Sequence, residues 1–348
     1  MVRDPAALDT GAGRPVLARG IDARRLAVAV GIDAGRPALA PAKVRVVRAV
    51  DAETARGVPP ETAAATAAAT AATAITSMSR LTRIPKDWHE ARRAGSILAR
   101  MNPVLIISHL EDRHSGLAGE SLKAAGCPVS EWNPLDDAPA PSLDRIAGIV
   151  SLGGRESATD LDRHPFLAAE VELMRIALAN EVPILGMCLG AQLLAVAAGG
   201  RVTRLESMYV GWPELCLLPA AGDDPVLGSL GERLPVLKWH EDVIELPPEG
   251  VVLGVTETPG AALFRIGHAA WGSQAHLELT PPMLLDGWLT ESGGIAEIES
   301  AGNDIEAFRA ESARRLPIQM AIARPAFEAF ARLVLPKNSI SAALNSSG

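Results

Sequence analysis

Cysteine is scarce: the 348 residues hold three, Cys127, Cys188 and Cys216. Neither their number nor their spacing suits a disulfide framework or a zinc site, which needs paired ligands at short intervals. Such usage fits a reducing cytosol, so a cytoplasmic protein without a metal is expected. No apolar run approaches the ~20 residues of a membrane span. The opening residues carry Asp4 and Asp9 and no long apolar core, so neither a membrane partner nor a secretory signal is expected. A basic body is missing as well. The net charge of -8 conceals 16 Lys+Arg against 9 Asp+Glu in residues 1–100, and 17 against 32 in residues 101–348. Nucleic-acid binding relies on a basic surface that releases counterions, so an acidic body excludes nucleic acid as the principal partner. No Gly-rich Lys-Ser/Thr phosphate loop occurs, and no cofactor is expected.

What is present falls into two textures. Residues 1–100 are rich in Ala, Arg and Thr, with prolines at 5, 15, 37, 41, 59, 60 and 85 that interrupt any long helix. The Ala/Thr tract from Glu61 to Thr76 offers no large side chain to bury. This stretch reads as a disordered or loosely helical extension and not as a folded domain. From Met101, apolar runs alternate with helical periodicity. Pro103 to Ser108, Ile146 to Leu152 and Val182 to Met187 are near-continuous apolar runs, as expected of strands covered on both faces. Between the last two, Phe166, Leu167, Val171, Met174 and Leu178 recur at helical spacing and predict a helix over 164–180. Strand, helix, strand in this rhythm means a parallel α/β sheet. Beyond Gly200, shorter segments (Glu214 to Leu218, Pro235 to His240, Gly250 to Val255, Ala261 to Ile266) suggest antiparallel strands. Two helical stretches, Pro282 to Thr290 and Ile305 to Leu333, follow, and 336–348 reads as a flexible tail.

The sharpest local signal is Gly186-Met187-Cys188-Leu189-Gly190-Ala191-Gln192, where an apolar strand runs straight into a helix. Cys188 sits on the corner. Glycines two positions either side let the backbone pass itself closely, and the helix N-terminus favours thiolate over thiol. The N–H of Leu189 is then free to meet a developing oxyanion. A cysteine filling a buried turn is the plainer alternative. Cys127 and Cys216 lack such surroundings and read as ordinary core or surface thiols.

A thiol nucleophile needs a base, and the base needs a third group to fix its tautomer. His276 follows an apolar run and stands two residues before Glu278. If the strand continues through the site, the two side chains share a face at neighbouring positions. His240, in Trp239-His240-Glu241-Asp242, is the rival, for which a loop or structural role, or a salt-bridged surface position, is the preferred reading. Gly153-Gly154, at the end of the Ile146 to Leu152 strand, either turns its backbone N–H groups toward a ligand or makes a plain turn.

These features, in this order, resemble the class I glutamine amidotransferases, in particular the stand-alone relatives of the amidotransferase domain of GMP synthase. GMCLGAQ matches the family's G-x-C-x-G-x-Q turn, and QAHLE its usual Q-F-H-P-E ending. The likeness extends to Gly199-Gly200-Arg201-Val202, to Gly211-Trp212 and to the His-x-Asp of His240 and Asp242, and makes 101–335 the amidotransferase domain. It implies a flavodoxin-like, mostly parallel sheet with helices on both faces and a small antiparallel addition. It also implies hydrolysis of the glutamine side-chain amide through a cysteine thioester, with ammonia passed to an acceptor on a separate synthetase. By matching positions Cys188 attacks, His276 shuttles the proton and Glu278 orients it. Gly153, Gly154 and Leu189 hold the oxyanion, and Gln192 seats the substrate.

Departures from the pattern are Ala275 and Leu277 for the usual Phe and Pro, and Arg155-Glu156 for the Pro-Gly that commonly follows Gly-Gly. All are expected to reshape the pocket wall. The partner synthetase's phosphate loop is not matched: Ser292-Gly293-Gly294-Ile295-Ala296-Glu297 has the glycines without Asp-Ser and reads as a helix-ending loop. Two alternatives therefore stand beside the amidotransferase: a γ-glutamyl peptidase or hydrolase acting on a larger γ-glutamyl compound, and a non-catalytic regulatory module of the same fold.

Overall fold

The computed structural model describes residues 102–335 apart from 112, 137 and 138. The expectations for the 1–100 extension and for the 336–348 tail lie outside the described residues. Strands β1 (Val104–Ile107), β2 (Val129–Trp132), β3 (Gly148–Ser151), β4 (Ile184–Met187) and β11 (Ala270–Ser273) run parallel in the spatial order β2-β1-β3-β4-β11. That is the flavodoxin-like order. The same sheet continues through antiparallel strands β10 (Leu263–Ile266), β9 (Gly250–Val255), β6 (Glu214–Leu217) and β7 (Arg233–Pro235). A separate antiparallel ribbon pairs β5 (Arg201–Gly211) with β8 (Lys238–Glu245).

Strand alternation sorts the apolar runs onto two faces. Val104, Ile106, Val150 and Leu185 pack with Leu117 and Leu122 of α1 (Gly116–Ala124) and with Phe327 and Phe330 of α5 (Ile305–Val334). Leu105, Ile107, Ile149 and Ile184 pack on the other face with Leu167, Val171 and Met174 of α2 (Pro165–Ala179) and Leu193 and Leu194 of α3 (Leu189–Ala197). Covering both faces is what makes the strands continuously apolar instead of alternating. Trp271 of β11 is fully buried, and its indole N–H donates to Asp224 Oδ1 at 2.9 Å. Without that acceptor, burying the N–H would cost about 1–3 kcal/mol.

Three local expectations are corrected. Pro235 to His240 is not one strand: β7 ends at Pro235 and β8 begins at Lys238, with Val236 and Leu237 buried in the step between them. The Pro282 to Thr290 stretch is a short helix, Pro281–Met283, followed by a π-type turn, Leu284–Trp288. Ser292 to Glu297 does not end a helix but begins one, α4 (Ser292–Ser300). Its glycine is there for contact: a Cβ on Gly294 would lie 2.2 Å from the carbonyl oxygen of Trp288.

Candidate active site

At the carboxyl ends of β3, β4 and β11, three chain segments converge on Cys188. The residue itself is held at φ 47° and ψ −107°, left-handed territory that costs a non-glycine residue about 1–3 kcal/mol and persists only where neighbours enforce it. They do so here: Cys188 N–H donates to Ser273 O at 2.7 Å, and Gln192 N–H donates to Cys188 O at 3.0 Å. The flanking glycines are sterically required. A Cβ on Gly186 would sit 2.6 Å from Gly190 O, and one on Gly190 would sit 2.3 Å from Ser151 O. The thiol is buried beside two polar groups, the carbonyl of Trp239 and the amide Nε2 of Gln274, each 3.7 Å from Sγ.

His276 and Glu278 meet as anticipated, though not for the anticipated reason. β11 stops at Ser273, so no strand carries the pair. A turn closed by Ser273 Oγ to Ala275 O (2.8 Å) and Leu277 N to Ala275 O (3.1 Å) brings His276 Nδ1 to 2.8 Å from Glu278 Oε1. With Nδ1–H bound to the carboxylate, Nε2 is left for the thiol. Burial opposes charge on the ring, but the Cys188 thiolate and the Glu278 carboxylate outweigh it, and the His276 pKa lies well above the usual imidazole value. The ring is therefore favoured as the imidazolium.

Around this pair, residues that sequence reasoning missed fix the ring. Gln319 of α5 donates through Nε2 to His276 O (2.8 Å) and accepts from Leu237 N–H (2.8 Å), so one buried amide ties the histidine turn to the segment before β8. His276 N–H donates to Leu237 O at 2.9 Å. Trp288 stands edge-on to the imidazole, with ring centroids 5.0 Å apart at 83°. Nothing local to His276 announces Gln319, which lies 43 residues on. Gln274 was visible as part of the QAHLE run but carried no assigned role.

A cleft opens over Cys188, lined among others by Gly154, Leu189, Gln192, Trp239 and His276. Gly153 lies against the pair itself, since a Cβ there would come within 2.7 Å of His276 Cε1. All the sequence-predicted site residues thus come together. Of the readings for His240, the loop and the surface position are overturned, and the structural role is not: it is buried in β8, whose burial alternates residue by residue. Its Nδ1 donates to Asp242 O at 2.8 Å, and burial together with the Lys238 charge lowers its pKa to about 3. It is a neutral imidazole on the cleft wall. Asp242 is buried too, and accepts from Ser157 Oγ at 2.6 Å. A second correction concerns the motif departures. Ala275 and Leu277 belong to the hydrophobic core and not to the pocket wall, whereas Arg155 and Glu156 do line the cleft.

The family model for glutamine amidotransferase class-I matches residues 120–283, a span that holds Cys188, His276 and Glu278. One subunit of the glutamine-hydrolyzing GMP synthase of Haloarcula marismortui is 37% identical over 174 residues, 49% of this chain and 80% of that one. The chain belongs to the class I glutamine amidotransferase family. A glutamine amidotransferase-like protein of Salmonella typhimurium, YfeJ, is 29% identical over 171 residues, 47% of this chain and 71% of that protein. A solved glutamine amidotransferase from Thermotoga maritima superposes with a TM-score of 0.59 at 25% identity, over 67% of this chain and 98% of that one. Against two longer glutamine-hydrolyzing GMP synthases, this amidotransferase-family chain spans 28% of their length at 35% identity. No described helix of the family member is long and apolar enough to cross a membrane.

Proposed function

We propose that the protein hydrolyses a γ-glutamyl amide, glutamine first among them, through a thioester on Cys188, and hands the released ammonia to an acceptor on a separate synthetase. The observation that carries this reading is the strained, buried Cys188 facing a His276 whose Nδ1 is held 2.8 Å from Glu278. In the proposed step, Cys188 Sγ attacks the amide carbon while its proton resides on His276. The N–H groups of Leu189 and of the Gly153-Gly154 segment receive the negative charge that develops on the carbonyl oxygen. His276 Nε2–H protonates the leaving nitrogen, the C–N bond breaks, and a thioester remains. Water, deprotonated by the now neutral His276, attacks the thioester; glutamate leaves and the thiolate–imidazolium pair is restored. Gln192, 3% exposed on the cleft wall, is suited to hold the substrate's polar end.

A second reading, hydrolysis of a larger γ-glutamyl compound, is favoured by one feature. Arg155 and Glu156 stand where the family commonly has Pro-Gly and put charge on the wall beside Gly154, with Arg155 reaching Glu291 at 2.6 Å across the cleft. Charge there can recognise a leaving group that ammonia does not supply.

The experiment that tests both is a panel of γ-glutamyl amides, free glutamine included, assayed for glutamate release by the purified protein and by Cys188→Ala. The wild type is expected to turn over at least one compound, and Cys188→Ala to lose about 10⁴-fold or more. Near-normal turnover by Cys188→Ala would refute the thioester route.

A further inference from the structure

Beside the Gly153-Gly154 segment lies a polar cluster that the proposed chemistry does not use. His109, just past the end of β1, has a fully buried side chain, as does Glu170 of α2. His109 Nε2 is 2.6 Å from Glu170 Oε2, and His109 Nδ1 is 3.3 Å from Gly153 O. The other carboxylate oxygen of Glu170, Oε1, accepts from Ser151 Oγ at 2.7 Å. Ser151 is in turn the residue against which Gly190 of the nucleophile turn is packed.

The partners decide the protonation of the ring. A carboxylate oxygen and a peptide carbonyl oxygen are both acceptors, and a neutral imidazole has only one N–H to donate. Satisfying both requires His109 to be the imidazolium. Burial opposes that charge, yet Glu170, with the Gly153 carbonyl and Glu156, raises the His109 pKa above its ordinary value. The consequence falls on a peptide plane. No cis peptide bond occurs among the described residues, and in a trans peptide the C=O of one residue and the N–H of the next point in opposite directions. Fixing Gly153 C=O on His109 therefore turns the N–H of Gly154 the other way, and Gly154 lines the cleft with Cys188 and Leu189.

We infer that His109 is a positioning residue of the oxyanion site: as an imidazolium held by Glu170, it sets the Gly153–Gly154 peptide so that Gly154 N–H faces the reacting carbonyl, and polarises that N–H through the shared amide. This rests on the reading that the Gly153-Gly154 segment stabilises an oxyanion. Ordinary ion pairs of this kind only hold a fold together, so the two roles need separating. Amide hydrolysis forms an oxyanion, whereas alkylation of Cys188 by iodoacetamide is a direct displacement that needs only the thiolate.

The test compares wild type, His109→Gln and the double variant His109→Leu with Glu170→Leu, which removes both charges together and leaves no lone buried carboxylate. The substrate is whichever γ-glutamyl amide the wild type hydrolyses. Expected is a fall in kcat of about 10²-fold, the scale of losing one oxyanion donor. KM and the rate of iodoacetamide alkylation at Cys188 should each stay within about threefold, well inside the scatter of an unperturbed site. A kcat close to wild type in either variant overturns the assignment. So does a parallel fall of hydrolysis and alkylation, a loss carried by KM, or failure of both variants to fold. Absence of hydrolysis by the wild type is a different failure, since it strikes the proposed function before any variant is made.

Discussion

Gly153→Ala is the substitution that probes the site most directly, because the added methyl points at the imidazole. Its Cβ would lie 2.7 Å from His276 Cε1 and 3.3 Å from Nδ1, where ordinary contacts begin near 3.4 Å. About 0.7 Å of movement has to be found, the difference between a 3.4 Å contact and the 2.7 Å approach to Cε1. The ring has little freedom to supply it: Glu278 holds Nδ1 at 2.8 Å and the edge of Trp288 stands with its centroid 5.0 Å away. Nor does the backbone yield easily, since Leu152 N–H donates to Ile107 O and Leu152 O accepts from Gly190 N–H. Misplacing a reacting group by about 1 Å costs on the order of 10²-fold, so a loss in kcat of about 30- to 100-fold is expected, equivalent to about 2–3 kcal/mol of transition-state stabilisation. Overpacking should also lower stability by about 1–3 kcal/mol. Glutamate release under saturating substrate and a thermal melt measure the two effects. Gly293→Ala is the control, because a Cβ there meets only the Arg155 guanidinium, at 3.6 Å, on the same rim. Activity of Gly153→Ala within threefold of wild type and an unchanged melt would refute the claim that Gly153 and the ring share that space.

Three further outcomes are expected. His276→Asn should abolish thioester formation, read as loss of the acyl burst. His240→Asn should alter KM or stability and leave the pH profile in place, since an imidazole with a pKa near 3 does not titrate in the working range; equal loss of the burst in both would reverse the assignment. Glu278→Gln removes one of the two charges that raise the His276 pKa. The imidazolium that protonates the leaving nitrogen is then lost at lower pH, so the alkaline limb of kcat against pH should move toward acid, and a limb that stays or moves upward contradicts the pairing. Asp224→Ala strips a buried carboxylate that accepts from Trp271 Nε1, Val226 N–H and Leu227 N–H and faces Arg265 at 3.0 Å. Arg265 is a quarter exposed, which moderates the loss to about 3 kcal/mol of unfolding free energy. A denaturant midpoint unchanged from wild type would remove that cluster from the stabilising interactions.

Where physical constraint is local, the sequence was enough to read it. The parallel strands are apolar because both their faces are covered, and α2 was legible because Leu167, Val171 and Met174 bury one side of a helix against the sheet. Cys188 was legible because its strained φ demands small neighbours, and Gly186 and Gly190 stand two residues either side. What failed was information carried by partners far along the chain. His276 and Glu278 were paired by supposing a strand, whereas β11 has already ended and the geometry comes from a turn pinned by Gln319 of α5. The sequence around His240 allows a loop, a structural role or a salt-bridged surface position, and only the fold shows that Lys238, His240, Asp242 and Ile244 occupy the inward positions of β8. Ser292-Gly293-Gly294 looked like a loop because glycine disfavours helix. In the fold, Gly294 is the price of letting α4 start against Trp288 O.

The departures from the family pattern show why a motif is easier to recognise than to interpret. In QAHLE, Gln274, His276 and Glu278 face the thiol or each other, while Ala275 and Leu277 between them are buried in the core with Trp271 and Phe327. Changing the alternate positions therefore alters how the turn is packed from behind and leaves the cleft wall as it was. Arg155-Glu156 is the opposite case. It follows Gly154 directly on the cleft, and its guanidinium spans to Glu291 at 2.6 Å and Glu297 at 4.0 Å, the latter also accepting from Trp239 Nε1 at 2.7 Å. Both Arg155 and Glu291 are about half exposed, so the ion pair itself is worth only about 0–1 kcal/mol and can open to admit a charged group. On the function proposed above, a substitution that leaves Cys188, His276 and Glu278 intact while placing an easily opened ion pair on the cleft lining bears on which amide enters, and not on how it is cleaved.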